Sequence, residues 1–475
     1  MLSGAKSVIR NASQISAARG LALVSRIIYI IFLARELGPE LYGLLAYGQS
    51  WYMAFLPLAA LGLDGILSRE VGANKIRDSS TVLGKVVAIR AIAAPSIGLT
   101  CAVFGLIVDP EAFDILLVFS LALIARGYAN TTEQIFTAHE VSHYSLNQEL
   151  VFRPFEVVVG LLILFLGGGV LAIALWHATV WSLQAIRGVW LTRRYLGCLP
   201  IDWDYRGWVS ILKEGILLLI GSSAYTWILQ GPLIIYRHIS PDETSLGYIA
   251  LVFQAIFALC IVPWSLVRAG LPVLARSLSY GDGKDVLFAS SMIQFAFLLG
   301  GLGGILGTAL GPPLITFVMG SEYLATAVYL GWGLWLLLPF CIATALQALM
   351  VAEKRPLGVT VPCVIGMILV TLLVLFLFPI YGPIGVFFGT GVGMVVWAGI
   401  LIVLSRGTRR RAIMENVLLC SFVLGLALLS GVIAKQAYVS EWMCVALECI
   451  VLIVGVCLIG LSQKSQRQFI VDLLD

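Results

Sequence analysis

Two arginines seven residues apart, Arg19 and Arg26, sit inside the apolar run ARGLALVSRIIYIIFLAR, residues 18–35. Seven residues make close to two helical turns, about 10 Å, so both guanidiniums fall near one helix face. Ser16 lies one turn before on that face, Tyr29 lies one turn after, and the opposing face is Leu, Val and Ile. An arginine near mid-membrane costs on the order of 3 kcal/mol. Such a stripe therefore predicts a wet cavity or an anion beside it. Snorkelling to the inner boundary is the alternative; Arg19 is within reach of it and Arg26 is too deep for easy escape.

A second constellation follows in IARGYANTTEQIFTAHE, where Arg126, Asn130, Glu133 and Thr137 recur at helical spacing. Arg126 falls near the middle of its apolar segment, and an internal bridge to Glu133 is the competing use of its charge. Arg90, Arg153 (with Glu156 one turn on) and Arg268 lie nearer the cytoplasmic boundary, where a basic anchor and a ligand contact are both open. Ser223, Gln230 and Arg237 form a thinner polar face, as do His177 and Gln184; these read first as interhelical hydrogen bonds. Acids are scarcer: Asp64 closes the second segment, Glu133 sits in the fourth and Glu448 stands alone in the last. Asp64 and Glu133 are the candidates for coupling to an ion. The deepest charges make a basic cavity, and its ligand should be anionic.

These residues must be carried by membrane helices. The chain has 475 residues, 60% hydrophobic and only 12% charged, whereas soluble chains carry about 25% charged residues. Segments of the length needed to span a bilayer fall at 13–34, 42–63, 84–107, 113–136, 151–167, 170–190, 213–236, 246–268, 286–310, 324–350, 357–378, 383–404, 412–434 and 441–461. The expectation is an all-α polytopic protein of about fourteen transmembrane helices. Most of the 30 lysines and arginines, including Lys75, Arg77, Arg193, Arg194 and the run 409–411, fall on one side of this layout. The other side keeps Arg35, Arg237 and Lys435. The asymmetry predicts cytoplasmic termini, and a short polar start followed by a long apolar run without a small-residue cleavage site predicts a retained first helix.

A faint repeat with a six-helix period links the region after the first helix to ISPDETSLGYIALVFQAIFALCIVPWSLVRAGLPVLAR, and LGGGVLAIALWHAT to YGPIGVFFGTGV. Parallel repeats of this kind suit two lobes that rock around a central site. The expected domains are 1–200, 201–408 and an appended helix pair at 409–475. The chain is expected to be no enzyme and to need no cofactor or nucleic-acid partner. The nine cysteines form no Cys-x-x-Cys pair, no metal-ligand spacing is present, and GDGK at 281–284 is too short for a nucleotide loop.

ARELGPELYG, Ala34 to Gly43, and FPIYGPIGVFFGTGVG, Phe378 to Gly393, resemble turns of the Wzx-type oligosaccharide flippases, the polysaccharide transport family of the multidrug/oligosaccharidyl-lipid/polysaccharide (MOP) exporter superfamily. The resemblance implies a V-shaped bundle in the bacterial inner membrane that flips undecaprenyl-pyrophosphate-linked oligosaccharides outward by alternating access. It also implies that Arg19, Arg26 and Arg268 line the cavity, that the last two helices form a groove for the lipid tail, and that a polymerase and a chain-length regulator are partners. Two other functions stay open: a cation-coupled drug or metabolite exporter of the same superfamily, and a membrane glycan polymerase or ligase. The latter expects a large outer loop, and the longest here is the stretch around GPPLITFVMGSEY.

Overall fold

The computed structural model describes residues 2–64, 66–67, 79–139, 141–196, 201–240, 242–267, 274, 278, 284–436 and 440–462, with side chains at all of these except 2–19, 22, 79–81, 284 and 408. Regular structure there is helical throughout. The helices of the first half are α1 (Leu2–Ala60), α2 (Ser79–Val108), α3 (Phe113–Ala138), α4 (His143–Phe165), α5 (Val170–Leu196), α6 (Tyr205–Ile239) and α7 (Glu243–Leu259). Those of the second are α8 (Lys284–Met319), α9 (Leu324–Leu334), α10 (Leu337–Ala352), α11 (Pro356–Tyr381), α12 (Pro383–Leu404), α13 (Gly407–Gln436) and α14 (Glu441–Ser462).

Ten stretches among the described residues are long and apolar enough to cross a membrane, with α9 and α10 together making one, Ser321–Ala352. The chain is an all-α, multi-pass membrane protein. α1, α4 and α5 are outside the ten, and they are the helices that carry Arg26, Tyr52, Glu149, Arg153, Glu156, His177 and Gln184. On α4 and α5 the polar side chains Glu149, Arg153, Glu156, His177 and Gln184 interrupt the apolar run, and they assemble the site below. The stretch around residues 311–323, read from sequence as the longest outer loop, is mostly helix: α8 runs to Met319 and a 3-10 turn covers Ser321–Tyr323.

Contacts cluster into two compact units, Met1–Ala250 and Leu251–Asp475. In the first, α1 packs on α4, α6 and α3, while α3 packs on α5 and α2. The expected turn between the first two segments is a sharp break at Gly38, with helix on both sides. Its φ of 73° and ψ of 169° fall where only glycine is at ease. An apolar core of Leu63, Ile66, Leu67, Leu83, Val86, Val87, Ile89 and Ile135 closes one end of this unit.

In the second unit α11 packs most extensively on α12, and α8 packs on α9, α10, α13 and α14. The α12 glycines of the FPIYGPIGVFFGTGVG stretch supply the reason for the first pairing. A Cβ at Gly385 would overlap the Leu377 carbonyl oxygen, one at Gly389 would lie 2.6 Å from the Val374 nitrogen, and one at Gly393 2.9 Å from the Val370 nitrogen. Three glycines at four-residue spacing thus let two backbones touch, which is how helices associate where lipid supplies no hydrophobic drive. α13 is held differently. Arg409 pairs with Asp285 and Glu353, and Asn416 bonds Ser290 and Gln294 at 3.2 and 2.8 Å.

Candidate functional site

Within Met1–Ala250 the polar side chains of four helices converge. α4 presents Glu149, Arg153 and Glu156 at i, i+4 and i+7, and α5 presents His177, Trp181 and Gln184 at the same spacing, so each triplet occupies one face. The two faces interlock. Arg153 pairs with Glu149 at 3.0 Å, bonds Glu156, and donates to the Gln184 carbonyl oxygen. Gln184 returns its amide to Glu149 at 3.1 Å, and the second Glu156 oxygen lies 2.7 Å from His177 Nδ1. Burying ions without partners costs several kcal/mol each. Here each carboxylate is matched, and the ladder fixes the α4–α5 hairpin.

Arg126 of α3 also lies against Trp181. Its guanidinium lies 4.6 Å from the Trp181 ring centroid, and that of Arg153 lies 4.5 Å away from the same ring. Arg126 donates to the Tyr52 hydroxyl at 2.6 Å and to the Met53 sulfur at 2.9 Å, both on α1. Among the described residues no carboxylate bonds it, and its buried Nε has no partner. Tyr52 in turn contacts His177 Nε2 at 3.1 Å and stacks on Phe119. Arg26, partly exposed on α1, lies within electrostatic reach of Arg126, Tyr52, Tyr42 and Glu156. One turn on, Tyr29 is buried, and its unpartnered hydroxyl packs over the bare Cα of Gly160. A Cβ at Gly160 would overlap that oxygen.

The cluster therefore sets three guanidiniums, Arg26, Arg126 and Arg153, against two carboxylates, Glu149 and Glu156, and the carboxylates are engaged by Arg153. Among the described residues Arg126 is bonded by no carboxylate. A guanidinium bonded only by a phenol, a thioether and an aromatic face keeps its fork of donors for an oxyanion.

The residues singled out by the sequence take different places. Arg26, Arg126 and Arg153 come together; Arg153 is consumed by the ladder. Arg90, 2% exposed, pairs with Asp64 and donates to the Ala60 carbonyl at 3.0 Å, a separate pair where α2 meets the end of α1. Asp64 is thus committed to a guanidinium. Glu133 is exposed and does not bridge to Arg126. The Arg19 side chain and the whole of Arg268 lie outside the described residues. His177 and Gln184, read as interhelical hydrogen-bonding groups, do that work and also reach the charged centre. Sequence reasoning missed Tyr52, Met53, Trp181 and Glu149. The matched i, i+4, i+7 triplets on either side of the short LGGG turn were the signal available for Glu149 and Trp181; Tyr52 and Met53 carry none.

Comparison with known proteins adds the family. A model described as polysaccharide biosynthesis protein matches residues 8–278, more than half of the chain. The chain belongs to the polysaccharide biosynthesis protein family. No curated protein matches it in sequence. Among solved structures it resembles an inward-facing multidrug resistance MATE family transporter of the MOP superfamily, with a TM-score of 0.67 at 14% identity over 84% of this chain and 95% of that one. It resembles the lipid II flippase MurJ in an inward closed conformation equally well, with a TM-score of 0.67 at 12% identity over 97% of this chain and all of that one (100%). A MOP superfamily transporter from Pyrococcus furiosus gives 0.62 at 14% identity over 86% and 96%. At these identities the likeness is one of fold: this member of the polysaccharide biosynthesis protein family has the MOP-superfamily fold, and these three structural relatives are transporters and a flippase.

Proposed function

We propose that the chain is a flippase that carries undecaprenyl-pyrophosphate-linked oligosaccharide units across the bacterial cytoplasmic membrane for surface polysaccharide synthesis. The observation that carries this is Arg126: a guanidinium in the middle of a membrane helix, without a carboxylate among the described residues, beside Arg26. The family supports a glycan-related role, and the similarity to a lipid II flippase supports a lipid-linked passenger.

The physical task is narrow. A head of two phosphates and several sugars cannot enter hydrocarbon, while a polyprenyl tail is at home there. Arg126 and Arg26 would take the pyrophosphate through charge-assisted hydrogen bonds, with Arg19 and Arg268 joining them as the resemblance implies. The ladder of Arg153, Glu149, Glu156 and Gln184 holds α4 and α5 rigid beneath that contact. Two lobes, 1–200 and 201–408, would rock to move the opening outward, with the helix pair 409–475 beside the tail. In this scheme fourteen helices span the membrane and both termini are cytoplasmic. Moving two negative charges outward across an inside-negative membrane releases roughly 5 kcal/mol per 100 mV.

A cation-coupled drug exporter needs a membrane carboxylate free to exchange a proton or sodium ion for a cationic substrate. The two carboxylates of the cluster are both committed to Arg153, which weighs against that use. Competition binding decides between the two. Purified protein in lipid nanodiscs should bind undecaprenyl pyrophosphate in preference to undecaprenol or cationic probes, and Arg126→Ala should lose that preference. Equal binding of a cationic dye by wild type and R126A, with no uptake of the pyrophosphate lipid, would reject the flippase.

A further inference from the structure

We propose, resting on the anion-site reading above, that His177 Nε2 is a proton-binding site linked to the anion at Arg126, so that anion and proton are taken up together. The geometry assigns the hydrogens on the ring from its partners. His177 Nδ1 faces a Glu156 oxygen at 2.7 Å, and Glu156 is itself bonded by Arg153, so it accepts and Nδ1 carries the hydrogen. Nε2 receives the indole N–H of Trp181 at 3.1 Å, which makes it a lone-pair acceptor and the ring neutral. Tyr52 lies 3.1 Å from the same nitrogen and shares its one lone pair with Trp181 as a second donor, while its oxygen accepts from Arg126 at 2.6 Å. In this arrangement the phenol oxygen takes one Arg126 donor, Nη1, and Nε has no partner.

Adding a proton to Nε2 breaks the bond from Trp181 and reverses the one with Tyr52. Trp181 loses its acceptor. The Tyr52 oxygen now accepts from both Nε2 and Arg126, and its own hydrogen turns away from His177 toward whatever lies beside Arg126. The site gains one positive charge and one donor, separated from Arg126 by a single tyrosine. Both changes favour an anion, and by reciprocity a bound anion favours the proton. The groups that face His177 set the balance: Tyr52 and the more distant Arg26 from α1, Phe119 and Arg126 from α3, Glu156 with Arg153 behind it from α4, and Trp181 on its own helix. Of the charged groups only Glu156 bonds the ring, and its sign favours the proton. The other carboxylate, Glu149, and the three guanidiniums act at longer range. Histidine is the side chain whose charge changes within the physiological pH range.

The test uses inorganic pyrophosphate and the full-length protein in nanodiscs. Pyrophosphate itself titrates, so wild type and His177→Gln are measured in parallel and the difference is read. Between about pH 8 and about pH 6, wild-type affinity should rise about tenfold more than that of H177Q, a typical coupling. Glu156→Gln, which keeps an acceptor for Nδ1 but removes the negative charge beside the ring, should move the midpoint of the wild-type dependence to lower pH; a purely structural role for Glu156 would lower affinity without moving the midpoint. Should H177Q fail to fold, calorimetry on wild type in buffers of different ionisation heat gives the protons taken up on binding, beyond those of free pyrophosphate. Parallel pH dependences, or no proton uptake, overturn the link while Arg126→Ala still removes binding. No pyrophosphate binding by wild type at any pH overturns both the link and the anion site.

Discussion

Arg126 and Arg153 flank the same indole, yet their surroundings assign them different work. Arg153 is bonded by Glu149, Glu156 and Gln184, so its charge is neutralised within the protein. Arg126 meets Tyr52, Met53 and Trp181, with no carboxylate bonding it among the described residues, and in the proposed function its charge serves the anion. Substitution should separate the two. Arg126→Lys keeps the charge and loses the planar fork, and should weaken pyrophosphate-lipid binding by at least tenfold, since a charge-assisted hydrogen bond contributes about 1.5–3 kcal/mol. The protein should still melt near the wild-type temperature. Arg153→Ala should do the reverse: it leaves Glu149 and Glu156 buried without their cation and should destabilise the first unit by about 3–5 kcal/mol, read as a lower melting temperature in detergent. Equal melting of the two variants would contradict the division. Arg26 and Arg126 were legible in the sequence because arginine at mid-span depth needs an explanation. Tyr52 and Trp181 were not, because aromatic residues are ordinary in membrane helices and only the folded contact singles them out.

At the level of elements, the glycine row of α12 and the charged anchor of α13 show two ways of fixing helices in a bilayer. The row at Gly385, Gly389 and Gly393 brings α12 onto the backbone of α11, and Gly389→Leu should force them apart. Overpacking costs about 1–3 kcal/mol; thermal melting would register it, and a wild-type melt would show that the contact is slack. The anchor predicts a pH effect outside the spans. Burial opposes ionisation of Glu353, but the hydrogen bonds from Arg409 and Arg355 outweigh it and hold its carboxyl below the usual range. A carboxyl depressed in the folded state stabilises above its unfolded pKa of about 4.3 and loses that contribution as pH falls through the folded value. The melting-temperature gap between wild type and Glu353→Gln should therefore be open at neutral pH and close in acid, and a gap unchanged by pH would contradict the assignment. The all-helical, multi-pass character was readable because apolar length is a coarse signal, and ten of the stretches among the described residues are long and apolar enough to span. The break at Gly38, with helix continuing on both sides, was read as a longer turn because Gly-Pro marks a change of direction without giving its extent.

For the molecule as a whole, the family model and the MOP-superfamily fold give a multi-pass membrane protein of the polysaccharide biosynthesis protein family, and the proposed anionic passenger rests on Arg126. The deep arginines and the layout of helices could be read from the chain before any coordinates. Which arginines pair with acids could not, because Arg90 meets Asp64 and Arg153 meets Glu149, Glu156 and Gln184 through contacts that depend on packing between helices. The most direct measurement is translocation itself: proteoliposomes loaded with an undecaprenyl-pyrophosphate-linked oligosaccharide, with the sugar reaching the opposite leaflet detected by an impermeant lectin or glycosidase. Wild type and Arg411→Ala, a change at an exposed residue paired only along its own helix, should translocate at the same rate, and Arg126→Ala should fall to the rate of protein-free vesicles. Translocation by Arg126→Ala at the wild-type rate would contradict the account.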